Sequence, residues 1–270
     1  MKKNVLISGS TRGLGLACAK YLSSSFDVIL TDISEEAYAV YDESESLDKI
    51  IKELVDLGSK TKFYSTDLTI ESQTEKLVRE IQNDYGQIDS LINCAGGDIY
   101  GNDKRAAGGK HPVNDALINH DDFFNIFDRN FTTCFNLSKS VATLMKTRKK
   151  GKIVNVSSVS AGFGGLKETA YSTGKSAIIH YTRCLASQLR SYGINVNCVV
   201  PGGTNTGRFM KTLKDRSDHD LSCLDSKGKL SRLAEPIDIA RVIKFFLSDD
   251  SDFISGQVIR VDGGQFTSPI

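Results

Sequence analysis

The sequence contains no tryptophan, only four prolines and three methionines among its 270 residues. It has no apolar run of about 18 residues, the length that a membrane-spanning helix needs, and no secretory leader pattern. Neither sign of charge dominates, because 34 Lys and Arg stand against 33 Asp and Glu, a formal net charge of +1. With 40% hydrophobic residues and balanced charge, the composition excludes a disordered or membrane-spanning chain, and there is no excess of basic residues that would indicate nucleic-acid binding. We therefore expect a cytoplasmic protein without a membrane or nucleic-acid partner.

Closely spaced cysteine pairs, which structural metal sites and disulfide frameworks use, are also missing. The six cysteines are Cys18, Cys94, Cys134, Cys184, Cys198 and Cys223. Five of them lie in apolar or small-residue stretches, where cysteine usually behaves as a small core residue. We expect neither disulfide bonds nor a bound metal.

What the sequence does contain is an alternation of short apolar runs with longer helical patterns. The runs begin at Val5, Val28, Lys62, Ser90, Ile153, Val196 and Val258. Most are continuously apolar, which is typical of strands covered on both faces. Apolar residues at helical spacing fill the stretches 47–55, 123–135, 170–189 and 239–246. Repeated β-α units predict an α/β fold in one domain, 1–270, with a parallel sheet and helices on both faces.

Two stretches interrupt this alternation, residues 97–120 and residues 204–235. Loops of this length in a compact domain are usually functional lids or disordered segments. The first is polar and rich in glycine, and we interpret it as an inserted loop. Its basic residues Lys104, Arg105, Lys110 and His111 either attract an anionic substrate or lie in solvent. The mixed charges of the second favour a solvated surface.

The first apolar run leads into a glycine-rich turn in which Gly9, Gly13 and Gly15 follow a G-x3-G-x-G spacing, and then into a helix. Glycine lets backbone approach a ligand closely, and a helix N-terminus offers free N–H groups with a positive dipole end. The turn therefore predicts an anion site, although a tight turn without a ligand would have the same pattern.

The second predicted strand ends at Asp32, followed by Ile33. A carboxylate at this position can accept hydrogen bonds from the adenosine ribose hydroxyls and repels a 2′-phosphate, which favours NAD. Arg12 in the glycine turn favours NADP, because a guanidinium can pair with that phosphate. We favour NAD and keep NADP as the alternative.

Tyr171 and Lys175 are four residues apart and share one helix face. An ammonium close to a phenol favours phenolate, lowers the tyrosine pKa and makes the phenol a usable acid or base. Such a pair alone is common on helix surfaces. However, Ser157 and Ser158, the segment 93–96 and the segment 201–203 each end a predicted strand, at the edge where open α/β sheets bind ligands.

Together these motifs resemble the short-chain dehydrogenase/reductase family. Four match in order: the glycine turn, Asn-x-Ala-Gly at 93–96, Ser158 with Tyr-x-x-x-Lys, and Pro-Gly-x-x-x-Thr at 201–206. The resemblance extends from Asn4 to Phe266. It implies a doubly wound, seven-stranded parallel sheet of the Rossmann type with helices on both faces. It also implies a homotetramer, in which helices 121–145 and 171–192 pack against other subunits. The five phenylalanines of 123–135 fit that interface or a core.

The resemblance also implies roles for individual residues. Tyr171 would donate or accept the proton, Lys175 would hold the nicotinamide ribose and lower the Tyr171 pKa, and Ser158 would bind the substrate oxygen. Asn130 would hold a water of the proton relay, and Ser157 would be structural. The residues expected around the cofactor are Gly9, Thr11, Arg12, Gly13, Leu14, Gly15, Asp32, Ile33, Asp67, Leu68, Asn93, Ala95, Gly96, Tyr171, Lys175, Pro201, Gly202, Thr204 and Thr206. Residues 204–235 would form the substrate lid, and the pocket walls would include Phe163, Phe209 and Met210.

The implied activity is hydride transfer between a nicotinamide cofactor and a secondary alcohol or ketone. Two related activities stay open: a 3-oxoacyl-acyl-carrier-protein reductase using NADPH, and a sugar or polyol dehydrogenase, which the polar loop 97–120 makes plausible. A non-catalytic dinucleotide sensor is disfavoured, because Ser158, Tyr171 and Lys175 are all present.

Overall fold

A computed structural model describes residues 2–101, 103, 105–213 and 228–268. Its strands pair in parallel in the order β3-β2-β1-β4-β5-β6-β7. They are β1 (Lys3–Ser8), β2 (Phe26–Asp32), β3 (Thr61–Ser65), β4 (Ser90–Asn93), β5 (Gly151–Val156), β6 (Ile194–Pro201) and β7 (Val258–Val261). Every predicted apolar run lies within one of these strands. The seven-stranded parallel sheet and the α/β fold predicted from the sequence are confirmed.

Helices cover both faces of the sheet. They are α1 (Gly13–Leu22), α2 (Leu47–Asp56), α3 (Glu71–Tyr85), α4 (His120–Phe127), α5 (Thr133–Arg148), α6 (Thr169–Leu189), α7 (Gly207–Lys211) and α8 (Pro236–Leu247). A π-helical turn, Asp128–Thr132, joins α4 to α5. None of the described helices is long and apolar enough to cross a membrane.

The core forms two apolar layers, because successive side chains of a strand point to opposite faces. From β1, Val5 and Ile7 pack with residues of α1 and α8, whereas Leu6 packs on the other face with residues of α3 and α5. All three are fully buried. Burial of each such side chain contributes about 1.5–3 kcal/mol, so the sheet is a rigid support for the loops at its edge.

The strand order reverses on either side of β1, which pairs with β2 and with β4. The connections from these strands therefore leave in opposite directions and open a crevice at the carboxyl edge of the sheet. The register aligns the strand ends at this edge, since Ser8 pairs with Asn93 and Asn93 pairs with Asn155. The motifs that follow β1, β4 and β5 consequently meet in one place.

Candidate active site

A cavity of about 970 Å³ lies at this carboxyl edge. The glycine turn after β1, the segment after β4, Ser158 after β5, the start of α6 and the segment after β6 all line it. Four motifs that are far apart in the sequence thus surround one space.

The Ser158, Tyr171 and Lys175 side chains come together in this cavity. Lys175, which is 4% exposed, donates from Nζ to the Val156 carbonyl oxygen at 3.0 Å and lies 5.8 Å from the centre of the Tyr171 ring. The Ser158 hydroxyl is hydrogen-bonded to the Tyr171 phenol and accepts a bond from the Ser160 N–H at 3.2 Å. A hydroxyl, a phenol and an ammonium therefore face the same reacting space.

The neighbouring Ser157 has a different environment. Its hydroxyl donates to the Lys175 carbonyl oxygen at 2.7 Å and is buried, so it fastens the end of β5 to α6. These contacts support the structural role predicted for Ser157.

Burial dominates the ionisation of the tyrosine and the lysine. It lowers the pKa of the Lys175 ammonium to about 8, and the positive charge of Arg208 acts in the same direction. Burial raises the pKa of Tyr171, while the charge of Arg208 and the hydrogen bond with Ser158 oppose that rise. The predicted lowering of the Tyr171 pKa is therefore wrong for the chain by itself, because desolvation of the phenolate outweighs the positive charge around it.

Asn130 lies in the π-helical turn and is fully buried. Its Oδ1 accepts from the Gly97 N–H at 2.9 Å, and its Nδ2 donates to the carbonyl oxygens of Gly97 at 2.9 Å and Ile126 at 2.8 Å. The carboxamide thus clamps the Gly97 peptide at the cavity wall. Its predicted role in holding a water stays a prediction.

The glycine turn is too tightly packed for larger residues. A Cβ on Gly9, which has a φ of +61°, would lie 2.8 Å from the Ala95 Cα, and one on Gly15 would lie 2.1 Å from the Gly9 carbonyl oxygen. The turn therefore fits closely between β4 and the start of α1. Glycine at these positions lets the N-terminus of α1 face the cavity.

The Glu43 carboxylate accepts hydrogen bonds from two backbone N–H groups of residues that line the cavity or adjoin its lining. It accepts from the Gly13 N–H at the start of α1 and from the Gly207 N–H at 2.6 Å. A negative group on these donors shows that the site accommodates an anion, as expected at a helix N-terminus. The pyrophosphate of a dinucleotide fits these donors.

Asp32 ends β2 and lines the cavity with 8% of its surface exposed. Its Oδ2 accepts from the Thr11 N–H at 3.2 Å and the Thr11 hydroxyl at 2.7 Å, and its Oδ1 accepts from the Ile33 N–H at 2.9 Å. Thr11 is fully buried and is not among the cavity-lining residues. Its contribution is to hold Asp32 in place, rather than the direct cofactor contact that we predicted.

Two arginines, Arg12 and Arg129, also line the cavity. Arg12 donates to the carbonyl oxygens of Ala37 at 2.9 Å and Ala106 at 3.1 Å, and stacks 5.2 Å from the centre of the Tyr41 ring. Arg129 donates to the Gly101 carbonyl oxygen at 2.8 Å, and its Nη1 is buried without a partner among the described residues. Its pKa is lowered by burial and by the charge of Arg12. Arg129 was not predicted from the sequence. The one feature that could have identified it as a cavity residue is its position next to Asn130.

Most of the other predicted cofactor residues also line the cavity. They are Leu14, Ile33, Asp67, Leu68, Ala95, Gly96, Pro201, Gly202, Thr204 and Thr206. Asn93 differs, because it is buried and its Nδ2 donates to Ser138 Oγ and Asn155 Oδ1, both at 2.8 Å. It therefore ties β4 to α5 and β5 and can support a cofactor only indirectly.

The walls at the Tyr171 end of the cavity are partly aromatic. Phe163 stacks on Phe266 with ring centres 4.9 Å apart, and both line the cavity together with Phe209. Met210 is 45% exposed and is not among the lining residues, so its predicted place in the pocket is wrong. It lies on the outer side of the short helix α7. Of the predicted lid, residues 214–227 lie outside the described part of the chain.

Buried charges form another part of this wall. Lys110 Nζ lies 3.4 Å from Asp98 Oδ2 and 3.8 Å from Glu168 Oε2, and all three side chains are less than 10% exposed. Arg105 is exposed and pairs with Asp103, and His111 Nε2 lies 2.8 Å from Asp122 Oδ2.

The expectation that the basic residues of loop 97–120 attract an anion is therefore not supported for Arg105 and His111, which are outside the cavity lining. Lys110 does line the cavity, but two carboxylates pair with its ammonium. Lys104 lies outside the described residues.

Arg208, at the second position of α7, is a cavity residue that sequence reasoning missed. Its Nη1 donates to the Gly96 carbonyl oxygen at 3.1 Å. The sequence feature that could have identified Arg208 as a cavity residue is its position two residues after the Pro-Gly-x-x-x-Thr motif.

Comparison with known proteins agrees with this geometry. A family model described as short chain dehydrogenase matches residues 3–217. The chain is 33% identical to a cyclohexanol dehydrogenase of Rhodococcus sp. (strain TK6), covering 97% of this chain and 95% of that protein. It is 31% identical to a 3-oxoacyl-acyl-carrier-protein reductase, FabG, of Haemophilus influenzae, covering 98% and 99%.

Among solved structures, a short-chain type dehydrogenase/reductase from Mycobacterium ulcerans superposes with a TM-score of 0.82 at 24% identity, covering 97% of this chain and 89% of that chain. Levodione reductase superposes with a TM-score of 0.80 at 24% identity, covering 97% of each chain. At this level of identity these two structures bear on the fold alone.

Proposed function

The chain belongs to the short-chain dehydrogenase/reductase family, and we propose that it is an NAD(H)-dependent oxidoreductase acting on a secondary alcohol or the corresponding ketone. The observation that carries this proposal is the convergence of Ser158, Tyr171 and Lys175 in the cavity beside the glycine turn. The hydroxyl and the phenol both offer hydrogen bonds to one substrate oxygen. A small-molecule substrate suits a cavity of about 970 Å³.

When bound, the nicotinamide ring supplies the hydride acceptor or donor of the reaction. The residues that would hold the dinucleotide are the Gly13 N–H for the pyrophosphate, Asp32 for the adenosine ribose, and Lys175 for the nicotinamide ribose. These assignments fit the N–H groups that now bind the Glu43 carboxylate and the lining position of Asp32.

In alcohol oxidation, Tyr171 accepts the hydroxyl proton at its phenolic oxygen, and in ketone reduction it donates that proton. Ser158 holds the substrate oxygen through its hydroxyl. The charge of Arg208 and the hydrogen bond with Ser158 favour the phenolate form of Tyr171. The rings of Phe163, Phe209 and Phe266 give the cavity an apolar wall for the hydrocarbon part of a substrate.

We favour NAD over NADP because Asp32 lines the cavity at the end of β2, whereas Arg12 is already bonded to two backbone carbonyl oxygens. A 2′-phosphate beside the Asp32 carboxylate would be repelled. The buried charged wall formed by Asp98, Lys110 and Glu168 supports a second candidate, a sugar or polyol dehydrogenase, because such a wall suits hydroxyl-bearing substrates.

The test is a turnover screen with NAD and NADP against secondary alcohols, polyols and 3-oxoacyl thioesters, repeated with Tyr171→Phe. We expect turnover with NAD and a fall of about 10²–10⁴-fold in kcat for Tyr171→Phe. Binding of NADH, measured by calorimetry, should survive in that variant. Tyr181→Phe on the same helix is the matched control and should retain turnover. Normal turnover by Tyr171→Phe would refute the role of Tyr171, and a strong preference for NADP would refute the choice of cofactor.

A further inference from the structure

A guanidinium lies at the reacting end of the cavity. Arg208 belongs to α7, whose first turn is capped by the Thr206 hydroxyl accepting from the Phe209 N–H at 3.3 Å. The charge of Arg208 acts on both Tyr171 and Lys175, so its guanidinium is within electrostatic range of the proton-transfer groups.

The sequence makes room for this guanidinium at Gly97. A Cβ on Gly97, which has a φ of +143°, would lie 1.4 Å from Arg208 Nη1, so any side chain there would expel the guanidinium. Asn130 holds the same Gly97 peptide by its N–H and its carbonyl oxygen, both at 2.9 Å. The second glycine after the Asn-x-Ala motif therefore has a defined function, which is to leave space for Arg208.

The Arg208 guanidinium has more N–H donors than hydrogen-bond partners among the described residues. A guanidinium carries five N–H groups, and among the described residues its side chain makes one hydrogen bond, to the Gly96 carbonyl oxygen. No carboxylate of the described residues lies within ion-pair distance of Arg208. The other lining cation of this wall, Lys110, is matched by Asp98 and Glu168. A half-buried cation without a carboxylate favours a ligand that brings one.

We propose that Arg208 binds a carboxylate of the substrate, so that the substrates are hydroxy acids and the corresponding oxo acids. This proposal rests on the proposed oxidoreductase function and narrows its substrate class. Arg12, in the glycine turn, and Arg129 also line the cavity, and backbone carbonyl oxygens accept hydrogen bonds from both. Among these arginines, Arg208 is the one whose charge acts on both Tyr171 and Lys175. Its planar guanidinium suits a carboxylate in a bidentate arrangement.

The test compares 3-hydroxybutyrate with its methyl ester, and 4-hydroxypentanoate with its methyl ester, which differ in charge at nearly constant shape. We expect the wild-type protein with NAD to prefer the acids in kcat/KM. In Arg208→Met, the acid-to-ester ratio should fall about 10- to 100-fold, mainly through KM of the acid. Arg208→Lys should restore part of the preference. Lys211→Met, an exposed cation of the same helix, is the matched control and should keep the wild-type ratio.

Calorimetry of malonate binding to the protein–NADH complex gives a readout that does not need turnover, because malonate has no ketone for NADH to reduce. Binding should weaken in Arg208→Met and persist in Lys211→Met. Turnover of the esters without any preference for the acids, together with unchanged malonate binding, would overturn this proposal and leave the proposed function standing. A loss of NADH affinity in Arg208→Met would also overturn it, because Arg208 would then belong to the dinucleotide site. Failure of every alcohol with NAD and NADP would instead reject the proposed function.

Discussion

At the Tyr171 phenol, burial and charge act in opposite directions. Burial raises its pKa, whereas Arg208 and the hydrogen bond with Ser158 lower it. Lys175 experiences burial and Arg208 in the same direction, and its pKa falls to about 8. Removing the positive charge of Arg208 makes a proton easier to hold at either group, so both pKa values should rise.

The pH dependence of alcohol oxidation tests this balance. Oxidation needs a Tyr171 that can accept a proton, so kcat/KM should rise with pH toward a plateau. In Arg208→Met, the rise should move to higher pH, measured with a neutral alcohol so that substrate charge does not contribute. Lys211→Met is the control. A profile that moves to lower pH would contradict the electrostatic role of Arg208.

A second prediction concerns the effect of Glu43 on the affinity for NADH. Its carboxylate binds the Gly13 N–H that we assign to the pyrophosphate, so the two anions compete for one donor. Glu43→Gln removes the charge and weakens this contact, and we expect NADH to bind about 3- to 10-fold more tightly. Calorimetry with NADH measures this change.

Glu45→Gln is the matched control for Glu43, because Glu45 is exposed and pairs with Lys49 on the surface. This variant should bind NADH as the wild-type protein does. Weaker NADH binding by Glu43→Gln would show that the carboxylate assists the dinucleotide rather than competing with it.

At the scale of elements, the π-helical turn between α4 and α5 determines the position of the cavity wall. The wider turn places Asn130 where its carboxamide reaches the Gly97 peptide and the Ile126 carbonyl oxygen. Because π-helical turns are rare and costly, one at this position indicates a functional constraint. The Asn130 side chain therefore supplies hydrogen-bond partners to backbone groups of both Gly97 and Ile126.

Asn130→Ala should therefore lower the free energy of unfolding by about 2–4 kcal/mol, because it leaves buried N–H and C=O groups without partners. Urea denaturation followed by circular dichroism measures the change. Asn119→Ala removes the cap of α4, where the exposed side chain accepts from the Asp122 N–H at 3.0 Å and donates to Asp122 Oδ2 at 2.6 Å, and should cost about 1 kcal/mol. Equal losses for the two variants would contradict the clamping role of Asn130.

At the scale of the whole molecule, a row of aromatic rings follows α4 and α5. Phe127 and Phe131 have ring centres 5.4 Å apart, Phe131 and Phe135 6.1 Å apart, and Tyr181 of α6 packs against both Phe131 and Phe135. Phe124 is 45% exposed and Phe135 is 38% exposed. The exposure of Phe124 and Phe135 favours the subunit-interface interpretation of the phenylalanines, the arrangement that the family resemblance implies.

We expect the protein to elute as a tetramer in size-exclusion chromatography with light scattering. The double variant Phe124→Asp, Phe135→Asp should shift it to a smaller species, because buried carboxylates oppose association. The exposed Phe253, which lies outside this row, provides the control Phe253→Asp. A monomeric wild-type protein would contradict the proposed homotetramer.

The strand positions, the fold and the motif residues at the carboxyl edge could be predicted from the order of residues alone. Continuous apolar runs and helical spacing are local signals, and parallel β-α topology brings the ends of β1, β4 and β5 together without further information. For this reason the approach of Tyr171, Lys175 and Ser158 could be predicted from their spacing and the strands they follow.

The side chains that enter the cavity from segments outside the motifs could not be predicted, because their positions depend on contacts between distant parts of the chain. The Glu43 carboxylate accepts from the Gly207 N–H although the two residues are 164 positions apart in the sequence. Likewise, Arg208 of α7 lies against Gly97, which follows β4. Neither helical nor strand periodicity in the sequence indicates which distant residues come into contact. The direction of the Tyr171 pKa was likewise decided by burial, which depends on every element packed around the phenol rather than on the lysine four residues away.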